Sequence, residues 1–334
     1  MRKIYRIPTF SAILRMPKSY LCPSPAKESH FSEFPKEHYK DVGNPFEHVW
    51  GSTENEGNYA NPEQNKILQI SSWNIDTGRN IESILKALKT NTDLSGSDVI
   101  ALQEVDRFNE RTDNKDLPKI ISEETGFYYV YAIEFLEFGR TGFFGEIGNM
   151  LLSRHPIKEP KILRLTSGND WYGNKSLQKR MGDRMAIGGT ISVNGIDIKV
   201  YSTRLENHTS PYYRRKQMED IISDSRKNAN PVVIAGDFNT MIPNIMSFSN
   251  ILFRHREYPL DKLIETESYA DPFGLEGKPT HIKLGGLGFL SKTLLRGILV
   301  LDGIISNGID CIESRIINGV HCSDHYPITA TYRL

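Results

Sequence analysis

Five segments with apolar bodies run into residues that can hold a hard cation or handle a proton. Ile67–Trp73 leads into Asn74 and then Asp76, and Val99–Leu102 ends in Gln103–Glu104. Ile196–Thr203 ends in Arg204, with Glu206 beyond it, and Val232–Ala235 runs into Gly236–Asp237–Phe238–Asn239. A short Val320–Cys322 segment precedes Ser323–Asp324–His325. Asn and Asp after a strand are ordinary turn residues, so any one ending alone is more often structural than catalytic. Five such endings placed side by side would gather carboxylates and an amide around one imidazole and one guanidinium. Oxygen donors without cysteine suit Mg²⁺ or Mn²⁺ rather than Zn²⁺. A hard cation, a carboxylate base, an imidazole and an arginine are what cleavage of a phosphoric ester needs. The positive groups neutralise charge on the transition state, the carboxylate activates water, and the imidazole serves as acid or hydrogen-bond donor.

The elements that must position these residues follow from short β-branched runs alternating with polar, helix-like stretches. Strands are expected at Ile67–Trp73, Val99–Leu102, Ile196–Thr203 and Val232–Ala235 and at Met150–Leu152, Ala186–Val193, Leu299–Ser306 and Ile328–Tyr332. Helices are expected at Asn80–Lys89, Leu117–Thr125 and Tyr213–Lys227. Asn194–Gly195 between two strand runs is the signature of a tight hairpin, so part of the sheet is antiparallel. Many strands, few helices and a hairpin give an α+β fold with two packed sheets covered by helices. Gly236 is expected to let the backbone turn as its strand exits.

The chain of 334 residues is 38% hydrophobic and 10% aromatic, too apolar for a disordered protein. Lys and Arg number 41, as do Asp and Glu, so no overall field draws the chain to a polyanion, and any nucleic-acid contact must be local. Cys22, Cys311 and Cys322 form no C-x-x-C pair and read as free thiols in a reducing compartment. No apolar run reaches the ~18 residues of a spanning helix. A cytoplasmic monomer is the default expectation, although none of these features fixes compartment or oligomeric state. The basic, acid-free start from Arg2 to Lys27 carries the alternative signal, an organelle-targeting peptide interrupted by prolines. Residues 1–65 read as an irregular extension that straps onto a domain spanning 66–334.

The motifs Ser72–Trp73–Asn74–Ile75–Asp76, Leu102–Gln103–Glu104–Val105, Gly236–Asp237–Phe238–Asn239 and Ser323–Asp324–His325 resemble, in order, those of the endonuclease/exonuclease/phosphatase superfamily. Gly148–Asn149–Met150 and Leu301–Asp302–Gly303 support the resemblance, which covers about residues 66–334. It implies a four-layered α/β-sandwich with two central mixed, largely antiparallel sheets flanked by helices, and a site where the sheets meet. It further implies Glu104 as the main Mg²⁺ ligand (Mn²⁺ being an alternative), helped by Asn74 and Asp324. Asp237 would align or deprotonate the attacking water, Asn239 would hold it, His325 would stabilise the transition state, and Asp302 would fix the tautomer of His325. Arg184 and Asn149 resemble phosphate-contacting positions, a surface arginine being the other reading of Arg184. Many relatives carry a histidine where this chain has Arg204; a guanidinium cannot act as a general base but can clamp a phosphate oxygen.

The implied activity is metal-dependent hydrolysis of a phosphodiester by in-line attack of water. Nucleic acid is favoured because Trp73–Asn74–Ile75–Asp76 is similar to the first motif of tyrosyl-DNA phosphodiesterases. The alternatives are a phospholipid, sphingomyelin-type or inositol-phosphate substrate, suggested by the apolar stretch 282–301, and a catalytically silent binding module, for which only Arg204 speaks. Tyr212, Tyr213, Arg214, Arg215 and Lys216 form either a polyanion-facing patch or the first turns of a helix. Gly286–Thr293 misses a phosphate-cradling loop because Ser291 stands where its second glycine must be.

Overall fold

The computed structural model describes residues 35–52, 67–139, 142–173, 178–227, 229–240, 258–276, 280 and 300–334. The apolar stretch 282–301 lies almost entirely outside them, as do Gly286–Thr293, Cys22 and the basic start. Thirteen strands are described: β1 (Trp50–Ser52), β2 (Ile67–Thr77), β3 (Val99–Arg107), β4 (Tyr128–Gly139), β5 (Gly142–Ser153), β6 (Ile157–Arg164), β7 (Lys179–Gly182), β8 (Met185–Val193), β9 (Ile196–Arg204), β10 (Val232–Asp237), β11 (Asp302–Asn307), β12 (Asp310–Ile316) and β13 (Ile328–Arg333). Helices α1 (Ile81–Thr90), α2 (Thr92–Ser95), α3 (Leu117–Thr125), α4 (Pro211–Ser225), α5 (Tyr258–Thr266) and α6 (Pro272–Glu276) accompany them.

One sheet runs β1-β4-β5-β3-β2-β13-β12, with β7 also paired to β4; the second runs β11-β10-β9-β8-β6. The pairs β2–β3 and β9–β10 are parallel and every other described pair is antiparallel. The expected hairpin joins β8 to β9. Asn194 and Gly195 both adopt positive φ (52° and 79°), the two-residue geometry whose twist matches the flanking strands.

Three apolar layers hold the sandwich together. Leu68, Ile70, Val99, Ala101 and Leu151 of the first sheet meet Ile187, Val200, Val233 and Ile304 of the second. The opposite face of the first sheet packs Trp73, Leu102 and Val105 against Ile84 and Leu88 of α1 and Ile121 of α3. The opposite face of the second packs Tyr201, Ile234 and Ile305 against Met218 and Ile221 of α4 and Leu263 of α5. The result is helix, sheet, sheet, helix, the four-layered α+β sandwich that the motifs imply. Ahead of β2, residues 35–52 bury Tyr39 and Phe46 against the first sheet, and β1 pairs with β4.

Candidate active site

Two adjacent strands lose regular pairing at the same level, and this delivers two of the polar residues. The β2–β3 register shifts between Asn74 and Thr77, with Asp76 at φ 46° and Thr77 at φ 64°, and the β3–β5 register shifts between Leu102 and Val105, with Glu104 at φ 53°. Such bulges re-aim side chains, and each left-handed non-glycine residue costs about 1–2 kcal/mol that surrounding structure must offset. Asn74 Nδ2 then donates to Glu104 Oε1 at 2.9 Å and to Asp237 Oδ2 at 3.1 Å, so one amide joins the two sheets. Gln103 Nε2 makes a second link, to Ser202 Oγ at 3.1 Å.

On the second sheet, register alone lines up three chemical groups. Asp237 of β10 is paired with Arg204 of β9 on one side and Asp302 of β11 on the other. The chain leaves β10 through Asn239 at φ 49°, whose backbone N–H donates to Asp237 Oδ1 at 3.0 Å and whose Nδ2 donates to Asp237 Oδ2 at 3.1 Å and Leu205 O at 2.9 Å. Gly236 therefore does not make the turn. It lies within the strand, where glycine is needed because a Cβ would stand 1.9 Å from Thr203 O. His325 arrives from the loop before β13. Trp73 Nε1 donates to its carbonyl at 3.1 Å, its N–H donates to Ser323 Oγ at 3.2 Å, and Ser323 Oγ donates to Asn74 O at 2.7 Å. Its Nδ1 lies 2.8 Å from Asp302 Oδ2.

Burial and charge divide the roles of these groups. Burial pushes the Asp237 carboxyl up, with Asp302 and Glu104 adding to the rise and His325 and Arg204 opposing it. Burial also acts on Glu104, but the Arg204 guanidinium and the Asn74 N–H outweigh it and hold the carboxyl below its ordinary value. His325 is pushed up to about 10: burial opposes its charge, and Asp302, Asp237 and Asp324 overcome that opposition. Ligand atoms of Asp237, Asp302 and His325 lie within 4.8 Å of one another, beside an ionised Glu104. With His325 protonated and held on Asp302, the donors left to a cation are carboxylate oxygens, a set that fits a hard divalent ion. Asn74 meets Glu104 with its Nδ2, while its Oδ1 accepts the Asp76 N–H at 3.1 Å.

The other expected residues are placed differently. Arg184 is fully buried, donating to Glu206 through Nε at 3.2 Å and to Glu134 Oε2 through Nη1 at 3.0 Å. Asn149 is buried with Nδ2 on Met185 O at 3.2 Å. Arg204 does not stand open to a phosphate; its Nη2 is on Glu104 Oε1 at 2.6 Å. Of the basic-aromatic patch, Arg214 is buried on the Glu206 and Thr209 carbonyls, and Arg215 and Lys216 pair with Glu219 in α4. The unforeseen participant is Glu134 of β4, which is fully buried between Arg184 and Arg204. Its signal was a pair of glutamates, Glu134 and Glu137, inside the otherwise apolar and aromatic run from Phe127 to Phe138.

The match of a family model over more than half of the chain makes this fold that of a phosphoric ester hydrolase of the metal-dependent class. The model of the endonuclease/exonuclease/phosphatase family matches residues 71–251, and the chain belongs to that family. The match ends before Asp302 and His325, which the second sheet and the 323–325 loop bring back to the same place. Among solved structures, an endonuclease/exonuclease/phosphatase from Beutenbergia cavernae DSM 12333 superposes with a TM-score of 0.58 at 18% identity, covering 80% of this chain and 72% of that one. A family protein from Leptotrichia buccalis C-1013-b gives 0.54 at 18% identity, covering 80% and 100%. The human Nocturnin catalytic domain with bound sulfate anion gives 0.53 at 14% identity, covering 86% and 97%. At these identities the likeness establishes the fold. No curated protein sequence matches the chain. Among the described residues no helix is long and apolar enough to cross a membrane.

Proposed function

We propose that this protein hydrolyses a phosphodiester by in-line attack of water with Mg²⁺, and that its substrate is a nucleic acid. The observation that carries the reading is the lateral alignment of Arg204, Asp237 and Asp302, with His325 on Asp302 at 2.8 Å and Asn74 joining Asp237 to Glu104. Glu104, with Asp324 nearby, would hold the cation, which when bound polarises a phosphoryl oxygen and offsets the charge of the transition state. Asp237, whose carboxyl is raised above its ordinary value, accepts the proton of the attacking water, and Asn239 orients it through its contacts with Asp237. His325 stays protonated at neutral pH. With Nδ1 committed to Asp302, its Nε2 is the nitrogen that serves a phosphate or leaving-group oxygen. Nucleic acid is preferred on the form of the Trp73–Asn74–Ile75–Asp76 motif.

Hydrolysis of bis-p-nitrophenyl and p-nitrophenyl phosphate, with Mg²⁺ and with EDTA, tests this on the wild type and Asp237→Asn. The diester should be cleaved only with metal, and Asp237→Asn should lose about 10²–10⁴-fold in kcat. Preference for the monoester would make the protein a phosphatase, and EDTA-insensitive cleavage would remove the metal from the reaction. A single-stranded oligonucleotide compared with phospholipid vesicles then separates the two diester substrate classes.

A further inference from the structure

The Arg204 guanidinium is buried where three carboxylates converge. Nη2 lies 2.6 Å from Glu104 Oε1, Nε 3.7 Å from Asp237 Oδ2 and Nη1 3.9 Å from Glu134 Oε2. Only the first is a hydrogen-bond distance, and Nε and Nη1 are buried without hydrogen-bond partners. Glu134 shows the complementary deficit: Oε2 accepts from Arg184, while Oε1 is buried without a hydrogen-bond partner. Unmade buried hydrogen bonds are unfavourable, and here the missing donor and acceptor belong to adjoining side chains. A small displacement of the guanidinium from Glu104 toward Glu134 would satisfy both. The Glu134 carboxylate itself is held still, because Arg184 anchors it and Glu206 anchors Arg184 from the other side at 3.2 Å.

We propose that Arg204 and a divalent cation compete for the Glu104 carboxylate, and that Glu134 is the seat to which Arg204 withdraws when the cation binds. The inference rests on the metal-dependent reading above and adds to it a positioning residue, Glu134, which acts through Arg204. While Arg204 holds Oε1, the charge of Glu104 is already neutralised, and a cation approaching the same carboxylate meets a like charge in a poorly screened site. Once seated on Glu134, Arg204 leaves Glu104 to the cation and itself remains paired. An imidazole at this position could relieve the repulsion by losing a proton, whereas a guanidinium can relieve it only by moving.

Calorimetric titration of the full chain with Mg²⁺ tests the proposal without reading activity. Arg204→Met should tighten the Mg²⁺ Kd by about tenfold or more. Arg180→Met is the control for loss of a neighbouring charge. Arg180 pairs with Glu137 at 2.7 Å rather than with Glu104, so its removal should change the Kd by less than about threefold. Glu134→Gln should weaken Mg²⁺ binding by about threefold or more in the wild-type background and have no effect in the Arg204→Met background. If Glu134→Gln does not fold, Glu134→Asp, which draws the carboxylate back by a methylene, carries the same expectation. Equal Mg²⁺ affinity of wild type and Arg204→Met overturns the competition. A Glu134 effect that persists without Arg204 overturns the role given to Glu134. If EDTA-sensitive diester cleavage accompanies either result, the phosphoesterase reading stands alone; no Mg²⁺ binding by any of these chains overturns both.

Discussion

At the scale of single residues, the site is a set of charges whose neighbours assign their work. His325 keeps its proton because Asp302 meets Nδ1, and Asp302 reaches that position by strand register, opposite Asp237. Asp302→Asn keeps the shape and removes the charge that favours the imidazolium. It should lower kcat for diester cleavage by about 10²–10⁴-fold with little change in KM. Steady-state kinetics on an activated diester would check this, and an unchanged kcat would mean that the pair only braces the loop. Asn74, Glu104, Asp237 and His325 were legible in the sequence because each follows an apolar run and their order matches known motifs, whereas Asp302, inside an expected strand, was legible only through the resemblance. Glu134 was not legible as a participant. Its meaning lies in Arg184 and Arg204, fifty and seventy residues away in the chain, and no local pattern pairs a glutamate with distant arginines.

At the scale of elements, close approach and buried pairing decide which substitutions the frame tolerates. Gly236 is packed onto the Thr203 carbonyl, so Gly236→Ala must push β9 and β10 apart one residue before Asp237 and Arg204. A loss of about 1–3 kcal/mol is expected in urea unfolding, together with reduced diester cleavage, and wild-type values for both would show that the strands yield without cost. Just beyond β9, Glu206 is held at about 2 despite its burial, because Arg184 and N–H groups of Trp171 and His208 favour its charge. A carboxylate depressed in the folded state stabilises above its ordinary pKa of 4.5, and that stability is lost as pH falls from there toward 2. The shift is worth about 3 kcal/mol. The Glu206→Gln chain should be less stable at pH 7 and should lose about 3 kcal/mol less than wild type between pH 5 and pH 2 in denaturant titrations. Strand legibility followed the same physics. Central strands β2, β3, β9 and β10 announced themselves as apolar runs, while β6 and β12 lie at sheet edges and mix Lys, Glu, Asp and Arg among their apolar residues. The β4 strand was hidden by the two glutamates whose buried pairing only the folded chain supplies.

At the scale of the whole molecule, the N-terminal segment and the catalytic sandwich are not independent. Tyr39 and Phe46 are buried in the same apolar layer as Trp73, Leu102 and Val105, which lie on the strands carrying Asn74 and Glu104. Tyr39 Oη donates to Glu146 Oε1 at 2.6 Å, and Glu146, with no side-chain exposure, also accepts from Arg107 at 2.8 Å. Arg164 reaches the Phe46 carbonyl, and Trp50 pairs with Tyr131 on β4, the strand that carries Glu134. Removing residues 1–52 would uncover an aromatic layer and leave Glu146 short of a donor. Two buried aromatic side chains are worth about 1.5–3 kcal/mol each, a large share of the ~5–15 kcal/mol that typically holds a domain folded. The truncated chain should therefore unfold with at least about 3 kcal/mol less stability in urea. Tyr39→Phe keeps the packing and removes only the hydroxyl, so it should lose about 1 kcal/mol. If the truncated chain unfolded at the wild-type midpoint with wild-type diester cleavage, the segment would be an appendage; a shift in both would make it part of the sandwich that holds β4 against the site.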